Sequence, residues 1–458
     1  MPPGSRGTSR FVQINELIQQ LKDGPRTAKA LTEALSISQP TLSRTIHEAA
    51  DLVTLFRLKG QRTPYYGALR PLPGGLNPRQ TIYRVSQTGH LQPFGEVCFL
   101  RGGGTLEQAD ARTSFYEGLP PYMAFAAPSG FLGRQAARDM AAADAHVPES
   151  LRDWNDDHRI TWLFTRSLNL PGNLIYGDAS LQREMALRKA APTPEGDKLA
   201  HYTVMANQLK DAPHGSSAGG EQPKFLSLSE ELGHVIVKFA KRGTRMADLL
   251  PLEHLALQCL QDIGVPASHT RICHTDEHVF LEVQRFDRIG AHGRVGMLSA
   301  GAIDDEFFGA RDTWSDFAAR CLAAKYLRRD HALHIHVMAA FSELIGNTDR
   351  HFENISVLLD DDGEYARVAP AYDILPMRYA PIGGGVDPDL TPITPRLGSI
   401  GAKPDVWLKA SRAALQFWDA VAQGRVACPI ATGLGELARV NRAVVEDFVG
   451  PLVPAVSN

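Results

Sequence analysis

Gly346-Asn347-Thr348-Asp349-Arg350-His351-Phe352-Glu353-Asn354 follows a long helical pattern (333–344) and precedes an apolar strand (355–359). An aspartate five residues before an asparagine suits phosphoryl transfer to a hydroxyl. Asp349 would accept the hydroxyl proton and the Asn354 amide would hold magnesium. That chemistry needs a second carboxylate beyond a short hairpin. Asp373, in Ala371-Tyr372-Asp373, stands there, after a turn at 360–364 and a short run at 366–368. Asp-x4-Asn alone is a common surface turn. The pair, the intervening strand and the second aspartate together point to a magnesium-dependent phosphotransfer centre.

Upstream, Val235-Ile236-Val237-Lys238-Phe239 sets a lysine in an apolar strand. A protein kinase keeps the lysine that contacts the α- and β-phosphates in such a strand, although an edge-strand lysine reads the same way in isolation. The preceding loop, 214–224, is built of small residues that let backbone N–H groups approach phosphate, Gly219 and Gly220 among them. It is neither a Walker A loop nor the glycine loop of eukaryotic kinases. A helix is expected at 251–263, opening on Pro251. Glu253 in its first turn is either a partner for Lys238 or an acid favoured by the helix dipole. Strand 279–283 runs into Gln284-Arg285-Phe286-Asp287-Arg288, where a hinge between two lobes would offer backbone groups to adenine. Beyond it the chain reads as helical, at 314–326, 405–423 and 433–448. The Pro- and Gly-rich stretch 376–403 covers the region that an activation or substrate-binding segment would occupy.

The N-terminal seventy residues have a different character. They carry ten Lys/Arg against five Asp/Glu, a charge of +5 that leaves −8 for the remainder of a chain whose net charge is −3. A basic module on an acidic body suggests a polyanionic partner for the module. Residues 11–21 carry the i, i+3, i+4 apolar stripe of a helix, and Thr27 caps a short second one. A third opens at Gln39 with Pro40 in its first turn, where a missing N–H costs little. This is a helix-turn-helix, with Gln39, Thr41, Ser43, Arg44 and His47 presented towards a major groove. A hairpin over 52–68 with Lys59 and Arg62 at its tip would be a wing suited to phosphate contact. A bundle used only for protein contact is the other reading. The stretch 72–78 reads as a linker.

At 458 residues and 43% hydrophobic, the chain can bury more than one core. No apolar run approaches the length of a membrane span, and no secretory signal opens the sequence, so no membrane partner is expected. The five cysteines are scattered without a C-x-x-C pair, which suits a reducing cytoplasm and argues against structural zinc.

Five stretches together resemble the HipA family of bacterial serine/threonine kinases, the toxins of HipBA-type toxin–antitoxin systems. They are Phe131-Leu132-Gly133-Arg134, 216–224, Arg285-Phe286-Asp287-Arg288, Asn347 to Asn354, and Ala371-Tyr372-Asp373. The fused N-terminal module resembles the YjjJ-like branch. The resemblance implies a two-lobed, kinase-like α/β (α+β) fold with an all-helical C-terminal lobe, and ATP with Mg2+ as cofactors. It implies Asp349 as base, Asn354 and Asp373 as metal ligands, and Lys238 on the phosphates. His351 and Tyr372 would line the nucleotide, with Gln284, Phe286 and Asp287 at adenine and ribose; Gln284 stands where an acidic residue is usual. Ser216 or Ser217 would be autophosphorylated, adding charge that ejects the loop. The expected units are 1–70 (winged helix-turn-helix), 78–290 (nucleotide lobe) and 291–458 (helical lobe). The expected partners are DNA, a second copy of the chain, and a protein substrate such as an aminoacyl-tRNA synthetase or another translation factor. A nucleotide-sensing transcriptional regulator and a small-molecule kinase are the alternatives.

Overall fold

A computed structural model describes residues 5–58, 60–109, 112–210, 222–360, 365–382 and 385–452. The first unit contains α1 (Ser5–Gln20), β1 (Arg26–Thr27), α2 (Ala28–Leu35), α3 (Gln39–Glu48), β2 (Val53–Phe56) and β3 (Tyr65–Ala68). Thr27 Oγ1 accepts from the Ala30 amide to start α2, and Ser36 ends it at φ 52. Ser38 Oγ accepts from the Thr41 amide to start α3, with Pro40 in the turn that lacks N–H partners anyway. Leu17, Leu21, Leu31, Leu42, Val53 and Ala68 close a small core over the antiparallel sheet β1-β3-β2. Gln39, Ser43, Arg44 and His47 are exposed on α3, Thr41 is half-buried, and Arg62 is exposed between β2 and β3. Lys59 lies outside the described residues.

The stretch 72–78 expected as a linker is short and held at both ends. Leu69 bridges to Leu100, the Arg70 amide donates to the Phe99 carbonyl, and the Arg101 amide donates to that of Ala68. Phe56, Leu69, Leu100 and Leu106 share a core, and Leu72 is buried in the next one. Pro73, Gly74 and Gly75 themselves stay exposed in a short turn, and the Phe99 amide donates to the Pro78 carbonyl at its far end.

The second unit comprises β4 (Arg79–Val85), β5 (Leu91–Phe99), β6 (Thr105–Ala109), β7 (Arg112–Tyr116), α4 (Pro121–Ala126), α5 (Gly130–Ala143), α6 (Asp156–Thr165), β8 (Leu174–Tyr176), α7 (Gly177–Leu187) and α8 (Lys198–Lys210). Its sheet has the antiparallel order β7-β6-β5-β4-β8, with Ile82, Val97, Phe99, Ile160 and Phe164 in the core. A second sheet, β11-β12-β10-β9, follows from β9 (Lys224–Ser229), β10 (Gly233–Lys241), α9 (Arg245–Asp262), β11 (Thr270–His274) and β12 (His278–Gln284). Val235, Val237 and Phe239 of β10 pack with Tyr202 of α8 and Phe280. The two-residue period of a strand therefore turns Ile236 and Lys238 to the opposite face. Helix α9 begins at Arg245, six residues before the expected Pro251, because Thr244 Oγ1 caps it at Ala247. Pro251 lies inside the helix, so Glu253 is two turns in and owes nothing to the first-turn dipole.

The last unit contains β13 (Arg288–Ile289), β14 (Gly293–Arg294), β15 (Gly296–Ser299), α10 (Ala300–Phe307), α11 (Trp314–Ala323), α12 (Arg329–Ile345), β16 (Ser356–Leu359), β17 (Tyr365–Val368), α13 (Pro404–Ala422) and α14 (Thr432–Val449). The expectation of an all-helical lobe is corrected by the antiparallel sheet β15-β16-β17. Helices surround that sheet, and its central strand anchors the end of the loop 346–354. The architecture is mixed α/β with antiparallel sheets. Among the described residues no helix is long and apolar enough to cross a membrane.

Candidate active site

Lys238 is 5% exposed in mid-strand, and Glu253 is 1% exposed where α9 crosses behind it. The ammonium donates to both Glu253 oxygens, at 2.6 and 2.8 Å, and also pairs with Asp373. Burial lowers the lysine's pKa, the Glu253 charge opposes that, and nearby Lys224 and Asp349 pull in opposite directions. Asp373 reaches this point from a backbone at φ 54, a left-handed conformation uncommon for a residue with a Cβ. The expected partnership of Lys238 with Glu253 is what the structure contains.

The loop after α12 is held by its own side chains. Gly346 ends the helix at φ 77. Asn347, fully buried, accepts the Asp349 amide at 3.1 Å. Asn354 Nδ2 donates to the Asp349 carbonyl at 2.9 Å, leaving its amide oxygen as an available ligand. His351 Nδ1 lies 3.3 Å from Glu353 and its Nε2 lies 3.6 Å from Asp349. Arg311 binds Glu353 at 2.7 Å and Asp305 at 2.6 Å. Gly301 leaves the space this needs, since a Cβ there would lie 2.4 Å from Glu353 Oε1.

This network fixes charges. The hydrogen bond to Glu353 raises the His351 pKa, and the same bond, with Arg311, holds Glu353 at about 2. A histidine with a raised pKa stabilises the fold fully below its ordinary value of 6.5, and that contribution is lost as pH rises through the folded value. A depressed Glu353 contributes above 4.5 and ceases to as pH falls towards 2. Between these limits both are charged. The His351 ring is expected to titrate above 6.5 by NMR and to fall back in Glu353→Gln; an unchanged midpoint would dissolve the pair.

A cavity of about 480 Å³ opens between the four-stranded sheet and the C-terminal unit. Leu226, Ile236, Val283, Phe286 and Tyr372 give it apolar walls, and Lys224, Lys238 and Asp373 a charged end. The Phe286 and Tyr372 rings lie 5.5 Å apart, and the Tyr372 hydroxyl is fixed by Ser356 Oγ and the Glu353 carbonyl. A second cavity of about 560 Å³ lies on the other side of the loop, lined by Thr313, Trp314, Asp349, Arg350, His351 and Arg396. The predicted centre thus does not face one space: Lys238 and Asp373 open on the first cavity and Asp349 on the second. Apolar walls with a charged end that holds two lysines beside Asp373, in a volume ordinary for ligand sites, fit a nucleotide. One carboxylate and one amide oxygen are hard donors of the kind magnesium takes alongside phosphate. Among the described residues no cluster of three His, Cys, Asp or Glu forms a complete metal cage.

Residues 76–185 match the family model of the YjjJ-like toxin middle domain, and 216–428 that of the HipA-like C-terminal domain. Toxin YjjJ of Escherichia coli (strain K12) is 32% identical over 422 residues, covering 90% of this chain and 93% of that relative. The chain belongs to the YjjJ-like toxins of the HipA family. Two solved structures are more distantly similar. HipA of Shewanella oneidensis MR-1, in a complex with HipB and operator DNA, has a TM-score of 0.47 at 15% identity, over 81% of this chain and 97% of that one. The Helicobacter pylori proinflammatory kinase CtkA has a TM-score of 0.35 at 10% identity, over 49% and 90%.

Several residues of this YjjJ-like toxin sit differently from expectation. Asp287 does not present a free carboxylate to a ribose. It is 3% exposed, bound by Arg285, Arg288 and the Gly172 amide, and those guanidinium groups hold its pKa far below the carboxylate range. His351 lines the second cavity rather than the nucleotide-sized one. The Gln284 side chain is tied to the Leu232 carbonyl at 3.0 Å, although it borders the first cavity. Ser216, Ser217, Gly219 and Gly220 lie outside the described residues. Lys224, Arg311 and Glu353 belong to the site and were not singled out as site residues in the sequence. Glu353, inside the decisive stretch itself, was the one within reach.

Proposed function

We propose that this toxin is an ATP- and Mg2+-dependent serine/threonine protein kinase with a DNA-binding winged helix-turn-helix at its N-terminus. The observation that carries the reading is the Lys238–Glu253–Asp373 cluster at the charged end of an apolar cleft, with Asp349 across a loop it shares with Asn354. Lys238 would hold the phosphates, released from Asp373 when that carboxylate turns to the metal with Asn354. Magnesium, when bound, would neutralise charge on the phosphates. Asp349 faces the second cavity, where an acceptor hydroxyl would lose its proton to it as that oxygen bonds to the γ-phosphorus and ADP departs. Tyr372 and Phe286 would flank the base. Ser216 or Ser217 is proposed as a self-acceptor, and a translation-related protein such as an aminoacyl-tRNA synthetase as the external one.

Incubation of the full chain with labelled ATP and magnesium tests this. Serine-bound label supports the reading. Label only on a small molecule, or binding without transfer, would favour a small-molecule kinase or a nucleotide-sensing regulator. The units 1–70, 78–290 and 291–458 are proposed as functional divisions; both sheet units up to the hinge fall in the second. For DNA, the exposed Arg44 on α3 and Arg62 on the wing supply phosphate-range cations, with Lys59 between them in sequence. Arg44→Ala is expected to weaken binding at all sequences and to lower the salt slope by about 1. An unchanged slope in gel shifts across salt concentrations would remove Arg44 from the interface.

A further inference from the structure

The nucleotide-sized cavity is not made by the four-stranded sheet and the C-terminal unit alone. Ala124, Phe125, Ser129 and Leu132 of the YjjJ-like middle domain line it, together with Asn169 and Pro171. Helix α4 packs on α10 and β15 of the C-terminal unit, and α5 packs on β9 of the four-stranded sheet. Tyr122 and Phe125 pack against the large C-terminal core. The α4–α5 corner therefore crosses the mouth of the cleft and touches both of its sides. A second tether lies at the hinge, where Arg285 Nη2 donates to the Leu170 carbonyl at 3.0 Å and Arg288 Nη1 to that of Gly172 at 3.0 Å. Arg285 and Arg288 also grip the Asn169 side chain, at 2.8 and 2.9 Å.

Helix α5 spends its small and apolar positions on its own unit: Gly133, Ala137 and Met140 are buried. Leu132 is not, remaining 38% exposed on the cavity. A leucine left open at the edge of an apolar cleft, on a helix whose other face is packed, is placed to be covered by a ligand. We propose that the middle domain is a wall of the nucleotide cleft and that Leu132 is a contact residue for the bound nucleotide. This rests on the cavity being the nucleotide site, as read above. It gives the middle domain a part in catalysis: it sets the width of the cleft and desolvates one edge of the nucleotide.

The test is calorimetric titration of the full chain with Mg-ATP, joined to hydrogen exchange of the unmutated protein. Leu132→Asp is expected to weaken binding about ten-fold, since a carboxylate would be buried against the ligand, and Leu132→Met to stay within about two-fold. Mg-ATP is expected to slow exchange of amides in α4 and the first turn of α5. Unmutated protein that binds Mg-ATP without protecting this corner, or Leu132→Asp binding as tightly as wild type, would overturn the proposal while leaving the site reading intact. Unmutated protein that does not bind Mg-ATP at all would instead overturn the site reading, and the proposal with it. Should Leu132→Asp not fold, Leu132→Ser and the exchange pattern decide alone.

Discussion

Asp349→Asn is expected to slow phosphoryl transfer from ATP about 10²- to 10⁴-fold while Mg-ATP affinity stays within about three-fold of wild type. The separation follows from the two cavities. The Asp349 carboxylate opens on the second, with His351 at 3.6 Å, and takes no part in lining the first. Asparagine preserves the size of the side chain and the backbone bonds to Asn347 and Asn354, so the loop keeps its shape. What is lost is the ability to take a proton. Asp373→Asn should behave differently, losing affinity and rate together, because Asp373 lies beside Lys238 on the nucleotide side. Transfer is read as labelled phosphate on serine, and affinity by calorimetry. Near-normal transfer by Asp349→Asn, or loss of affinity in step with rate, would take the base assignment away from Asp349.

The parts of this site that could be read in the sequence are those whose signal is local. Lys238 stands out because apolar residues flank it in a strand, and alternation then dictates that it turns away from Val237 and Phe239. The catalytic loop is legible because Gly346 ends a helix, Asn354 precedes a strand, and the loop's bonds, Asn347 to Asp349 and Asn354 to Asp349, span only two and five residues. The start of α9 differs from the sequence expectation for an equally local reason. In the sequence Pro251 reads as a first-turn residue, whereas burial of Leu249, Leu250 and Pro251 holds the helix across it. Of the C-terminal sheet, β16 and β17 are legible as a strand and a short hairpin run, whereas β15 is not, because it is short and pairs with β16 some sixty residues later.

Other features left no mark on the sequence because their partners are remote. Arg285-Phe286-Asp287-Arg288 reads as a hinge that meets a ligand. Its two arginines and aspartate are bound by a loop more than a hundred residues earlier. Arg311 meets Glu353 across forty-two residues. Nothing in Phe131-Leu132-Gly133-Arg134 announces that Leu132 borders a cavity built by strands a hundred residues on. Side-chain chemistry names the candidates, and topology decides which of them share a space.

Glu253→Ala is expected to destabilise the β9–β12 sheet by about 3 kcal/mol, the lower end of the cost of orphaning a buried charge. Lys238 would keep only Asp373, a carboxylate from the other lobe whose side chain is 29% exposed and therefore better hydrated. The double variant Lys238→Met/Glu253→Leu removes both buried charges and fills similar volume. It should regain most of that stability, since a well-packed apolar pair commonly matches a buried ion pair, and Asp373 can turn to water. Hydrogen exchange of β10 and β12 amides gives the opening free energy in each protein. The double variant should nevertheless transfer no phosphate, because it lacks the strand lysine and leaves Lys224 alone beside Asp373 at the charged end of the cleft. Stability without activity would mean the pair is kept for what Lys238 does to a ligand rather than for the fold. If instead Glu253→Ala opens no more easily than wild type, Asp373 alone satisfies the lysine. If the double variant is as weak as Glu253→Ala, the loss comes from packing around α9 rather than from an unpaired charge.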